Sequence, residues 1–244
     1  MNETFVFFLF LPLVAFLYAS VGHGGASGYL ALMALCSFAP ASMKHTALIL
    51  NIFVSATAFI QYYRTVKIPW NIVLWLCLLS VPAAFAGGYV KLDISMYKIM
   101  LGVFLLLPVI RLSGFWQLNH THITQPKFGL TAVIGLLIGF VSGILGIGGG
   151  IILSPILLLL GYADMKQTAA ISAIFILLNS LSGMAGAALQ GIEWNDNLYI
   201  CIALAWAGGM AGATWGARYT NIDILKKVLA LVLAIAAAKL IFTI

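Results

Sequence analysis

Two stretches of this chain, residues 4–43 and 128–163, carry no Asp, Glu, Lys or Arg. A continuous helix over either would run roughly 50–60 Å at 1.5 Å per residue, too long for a hydrocarbon core of about 30 Å. Each stretch must therefore break, and each holds a glycine cluster at its middle. Gly22-His23-Gly24-Gly25 interrupts the first, and Gly146-Ile147-Gly148-Gly149-Gly150 the second. Glycine has weak helix propensity and admits left-handed backbone, so the breaks are expected there.

The remaining sequence is equally sparing with charge. Of 244 residues, 63% are hydrophobic and 7% charged, against about 25% charged in a soluble domain. Those values exclude a disordered chain, a secreted disulfide scaffold and a soluble enzyme. They predict an all-α, polytopic transmembrane bundle. The predicted segments are Phe5–Tyr18, 26–38, 44–63, 70–90, 95–111, 128 to the second break, 150–161, 166–190, 197–217 and 224–242. Glu3 and the absence of a basic n-region favour a retained first segment over a cleaved signal peptide. Formal charge is +6, but the basic residues stand singly between apolar runs. That pattern marks cytoplasmic loops and excludes a nucleic-acid surface. Cys36, Cys77 and Cys201 lie at unrelated spacings in apolar runs, so they are read as packing residues; no metal or cofactor is expected.

The chain also repeats itself. Gly22-His23-Gly24-Gly25 matches Gly146-Ile147-Gly148-Gly149, and Lys44-His45-Thr46-Ala47 matches Lys166-Gln167-Thr168-Ala169. Leu92-Asp93-Ile94 resembles Ile222-Asp223-Ile224. The expected organisation is a first transmembrane repeat at 1–112, a cytoplasmic linker at 113–127 and a second repeat at 128–244. Each repeat holds about five segments, and internal repeats of this kind mark secondary transporters.

Charge then orders two topologies. If 26–38 and 150–161 each connect opposite sides, the halves are inverted. One side receives Arg64, Lys67, Arg111, Lys127, Lys166, Arg218, Lys226 and Lys227; the other receives Lys44, Lys91, Lys98 and Lys239. If both segments return to the side they entered, the halves are parallel and the basic residues divide almost evenly. The positive-inside rule favours inversion, with both termini outside. The matched loops agree, since 64–69 carries Arg64 and Lys67 while 190–197 carries Glu193 and Asp196.

A helix that starts just after a glycine break points free N–H groups and its positive dipole end into the cavity. Two such breaks predict an anion site built from backbone. Its candidate residues are Gly22, His23, Gly24, Gly25, Gly146, Gly148, Gly149 and Gly150, with Asn51, Ser55, Ser172 and Asn179 on the long helices. His23 stands where the second half has Ile147, and could donate to an anion or carry a proton. His45 is expected at the membrane interface and His120 and His122 in a solvated loop. Pro155 cannot donate and would help fix the irregular backbone. Gly135-Gly139-Gly143 and Gly208-Gly212-Gly216 recur every four residues and are read as helix-packing stripes. Gly25-Ala26-Ser27-Gly28 has the GxSG form of an intramembrane serine protease nucleophile, but the second half has no serine there. After His45 the chain has only His120 and His122, both in the central loop, so no later helix supplies a base.

The run Gly143-Ile144-Leu145-Gly146-Ile147-Gly148-Gly149-Gly150 followed by Ser154-Pro155 resembles the sulfite exporter TauE/SafE family of membrane permeases. Ser20-Val21-Gly22-His23-Gly24-Gly25 is a fainter version, and Lys-x-Thr-Ala follows each. The resemblance covers essentially the whole chain. It implies a secondary transporter that moves a small sulfur-containing oxyanion, sulfite or an organosulfonate, across the bacterial cytoplasmic (inner) membrane. Export by alternating access is the expected direction, with a small anionic substrate and the lipid bilayer as partners; a homodimer is compatible with these features. The alternatives are an intramembrane protease built on Ser27 and a non-transporting membrane scaffold.

Overall fold

The computed structural model describes residues 3–112, 124–192, 196–218 and 223–242. These fold as ten helices: α1 Glu3–Ala19, α2 Ala26–Leu35, α3 Pro40–Tyr63, α4 Trp70–Tyr89, α5 Ile94–Leu112, α6 Phe128–Leu145, α7 Gly150–Leu159, α8 Met165–Ala188, α9 Leu198–Arg218 and α10 Asp223–Phe242. The described residues contain no strand. Both glycine clusters fall where the long uncharged stretches have to break. Most of the expected 113–127 linker, with His120 and His122, lies outside the described residues, as do Glu193 and Ile222.

Helix starts have local causes. α3 opens on Pro40, whose missing N–H costs nothing at a first position. α8 opens on a capping box in which Asp164 accepts from Gln167 N at 2.8 Å and Gln167 Oε1 accepts from Asp164 N. Among the described residues five helices, α3, α4, α6, α8 and α9, are long and apolar enough to cross a membrane, so the chain is multi-pass. α2 and α7 have ten residues each and rise about 15 Å, half of a hydrocarbon core.

The helices interleave. α4 lies along α6 and α8, while its counterpart α9 lies along α1 and α3; α5 pairs with α10, and α3 with α8. Exchanging the two halves returns the same pairs. Both glycine stripes do the packing expected of them. A methyl group at Gly135, Gly139 or Gly143 would strike the backbone of Leu76, Ser80 or Ala84 on α4. At Gly208, Gly212 or Gly216 it would strike Pro12, Phe16 or Ser20 on α1 and just beyond. In lipid, where burial of apolar surface gains little, such backbone approach carries helix association. Gly139→Leu therefore forces α4 away from α6. Its expected cost is about 3 kcal/mol, seen as a lower melting temperature in detergent and loss of the monodisperse peak on size exclusion.

Hydrogen bonds gather loops at two ends of the bundle. At one end, Lys44 Nζ donates to Gly88 O at 3.0 Å, and Lys239 Nζ donates to Leu35 O at 2.9 Å. At the other, Thr124 N donates to Gly161 O at 2.8 Å, Lys127 N to the Tyr162 hydroxyl at 3.2 Å and Gln167 Nε2 to Lys67 O at 3.5 Å.

Candidate functional site: two helix starts around one carboxamide

The glycine breaks meet in the middle of the bundle. α2 starts from Gly25 at φ 99° and α7 from Gly149 at φ 77°, and neither cap residue has a side chain to cover the first N–H groups. For α2 that cover comes from another helix. Asn51, fully buried on α3, accepts the Ala26 N–H on its Oδ1 at 2.9 Å. Its Nδ2 donates to Ser180 Oγ on α8 at 3.4 Å. The same carboxamide separates the breaks: a methyl group at Gly24 would strike Asn51 Oδ1, and one at Gly148 would strike Asn51 Nδ2. Ile176 Cγ2 on α8 closes the other side, 2.9 Å from either methyl position.

His23 ties the first break to the second half. Its Nδ1 lies 2.9 Å from Val21 O, which can only accept, so Nδ1 carries a proton. Nε2 lies 3.0 Å from Ser154 Oγ on α7, and Ser154 Oγ lies 2.7 Å from Ser172 Oγ on α8. In the neutral ring, Nε2 accepts from Ser154, which accepts from Ser172. In the protonated ring, Nε2 donates to Ser154, and the Ser154 hydroxyl turns to Gly150 O, 3.0 Å away. Either arrangement links His23, Ser154 and Ser172 in one hydrogen-bonded chain across the two halves.

The Lys-x-Thr-Ala landmarks pack crosswise on the breaks. Gly22 sits against Ala169 at the start of α8, and Gly146 sits 3.1 Å, measured from a methyl position, from Lys44 at the start of α3. Each half thus buttresses the break of the other.

All twelve predicted site residues are buried, but they do not all converge. Gly24, Gly25, Gly148, Gly149 and Gly150 join His23, Asn51 and Ser172 around the meeting point. Gly22 and Gly146 instead set the contacts with α8 and α3. Ser55 donates back to Asn51 O at 2.5 Å and Asn179 Nδ2 to Phe175 O at 2.8 Å, each within its own helix. His45, expected at the interface, is buried near the start of α3. Sequence reasoning passed over Ser154, Ile176 and Ser180 as site residues. The spacing of Ser172, Ile176 and Ser180 was the available signal, since residues four apart share a helix face.

Ser27 is buried at the start of α2. Its hydroxyl donates to the Tyr18 hydroxyl at 2.8 Å, while the two His23 nitrogens face Val21 O and Ser154. Among the described residues no three His, Cys, Asp or Glu side chains group as metal ligands.

The chain is matched over residues 7–240 by the family model described as Sulfite exporter TauE/SafE. It is 37% identical over 233 residues to a probable membrane transporter protein, y4hK, of Sinorhizobium fredii, covering 94% of both chains. It is 24% identical over 220 residues to the probable membrane transporter protein YunE of Bacillus subtilis, covering 81% of this chain and 79% of that one. Against the Arabidopsis thaliana protein named Sulfite exporter TauE/SafE family protein 1, identity is 26% over 204 residues, 70% of this chain and 45% of the other. No solved structure matches.

Proposed function

This chain belongs to the sulfite exporter TauE/SafE family of membrane transporters, and we propose that it exports a small sulfur-containing oxyanion, sulfite or an organosulfonate, across the bacterial cytoplasmic membrane. The observation that carries the reading is the approach of Gly24 and Gly148 to opposite ends of one buried carboxamide, at the starts of two half-length helices. Backbone N–H groups at helix starts favour an anion without a buried cation. Asn51 Oδ1 takes the place on Ala26 N that a substrate oxygen would take. Substrate displaces it and meets the carboxamide Nδ2 instead.

The reading includes inverted repeats. It is supported by the bonds at the two bundle ends, which group Lys44 with Gly88, and Lys127 with the loop that leads to Lys166. α3 and α8 then cross at the centre, and one bundle rocks against the other for alternating access. An inside-negative potential drives an anion outward by about 2.3 kcal/mol per charge per 100 mV, so export needs no opposing gradient.

Melting temperatures of the purified protein with sulfite, sulfate, sulfoacetate, taurine, acetate and phosphate, at constant sodium and with chloride as reference, test the substrate. Stabilisation follows RT ln(1 + [L]/Kd). A selective rise with sulfite or a sulfonate is expected. Equal response to all of these would remove the sulfur-oxyanion assignment.

A further inference from the structure

Behind the second break lie three buried oxygens that the anion reading does not use. Ser80 Oγ on α4, Ser142 Oγ on α6 and Asn179 Oδ1 on α8 belong to fully buried residues and have no hydrogen-bond partner. Buried polar groups are nearly always satisfied, and an exception calls for a water or an ion.

The three helices run side by side, and close approaches put these residues within about a turn of one another. A methyl at Gly139 would lie 2.6 Å from Ser80 Cα. One at Gly183, a turn beyond Asn179, would lie 3.5 Å from Gly143 Cα, next to Ser142, and 3.6 Å from Ala84 O, a turn beyond Ser80. Ser182 Oγ donates to Val81 O at 2.6 Å, which fixes the α4–α8 register. Ser142 in turn abuts the break, 3.4 Å from a methyl position at Gly149.

The donors are neutral oxygens. The Asn179 amide nitrogen is committed to Phe175 O, so the amide oxygen is left for the pocket. With no carboxylate to balance a double charge, the set suits a small monovalent cation better than calcium or magnesium. The duplication does not demand it. Tyr18, the counterpart of Ser142, accepts from Ser27, and Thr57, the counterpart of Asn179, donates to Phe53 O. Ser142 and Asn179 thus carry unpaired oxygens that their counterparts in the first half do not.

We propose that Ser80, Ser142 and Asn179 hold a sodium ion beside the second break, where its charge offsets that of a bound anion. This rests on the transport reading for its purpose, but its test uses no sulfur anion and so fails or succeeds separately. The melting temperature of the full chain in detergent is followed as choline chloride is replaced by sodium, lithium or potassium chloride at fixed total chloride. The expected result is a saturable rise with sodium on the order of 5 °C, a smaller one with potassium, and loss of the sodium effect in Ser80→Ala/Ser142→Ala. Identical melting in sodium and choline overturns the proposal in the wild type alone. A double variant that melts higher than wild type at every salt overturns it too, because removing an unpaired hydroxyl stabilises an unoccupied pocket.

Discussion

Asn51→Asp is expected to abolish anion transport while leaving a folded protein. The substitution preserves shape. A carboxylate oxygen still accepts the Ala26 N–H now bound by Oδ1 at 2.9 Å, and a negative charge there is favourable to the start of α2. What changes is the site. The Nδ2 donor facing Gly148 and Ser180 is lost, and a fixed negative charge occupies the place where the substrate has to come. Two unit charges about 4 Å apart repel by about 4 kcal/mol at an effective dielectric of 20, on the order of a thousandfold in affinity. The check is sulfite flux in proteoliposomes, paired with the melting temperature. The variant should melt at or above wild type and no longer respond to anions. Flux within tenfold of wild type would mean that the substrate does not pass Asn51.

The second large effect is expected at Gly148→Leu. Gly148 has φ +71°, a conformation that costs an L-residue about 1–2 kcal/mol. Its new Cβ would also strike Asn51 Nδ2 and lie 2.9 Å from Ile176 Cγ2, so the side chain fills the space between the breaks. Transport should be lost. Strain and obstruction are separated by Gly191→Leu, which has φ +87° and nothing within 4 Å of the added Cβ. That variant pays the backbone cost alone and should transport normally. Transport by Gly148→Leu at the wild-type rate would remove the second break from the pathway.

The elements were legible because two local signals bound them. Charges and prolines mark the ends of α3, α4 and α8, and glycine clusters are the one way to fit a long uncharged stretch into a bilayer. The stripes at Gly135-Gly139-Gly143 and Gly208-Gly212-Gly216 were legible for a similar reason, since a four-residue period is a property of one helix. Partners across helices were not. Asn51 stood out as a polar residue on a long helix, but its role as a borrowed cap for α2 depends on α3 crossing the break, which the sequence of neither element encodes. Asn179 was preferred over its neighbour Ser180, and one residue is about 100° of helix face. Ser180 turns to Asn51, while Asn179 bonds its own helix. The Lys-x-Thr-Ala landmarks recur with the breaks because each packs on the break of the opposite half, a crosswise contact that reads as simple repetition in one dimension.

The central claim is that backbone N–H groups at the two helix starts bind the substrate. Backbone amide resonances report this most directly. With 15N-glycine and 15N-alanine labelling, the resonances of Gly24, Gly25, Ala26, Gly148, Gly149 and Gly150 can be followed as sulfite is added to the protein in detergent. Shifts confined to both breaks and saturating together are the predicted result, with Gly135 and Gly212 in the packing stripes unmoved. Saturable sulfite binding that leaves the amides of both breaks unshifted would contradict the account.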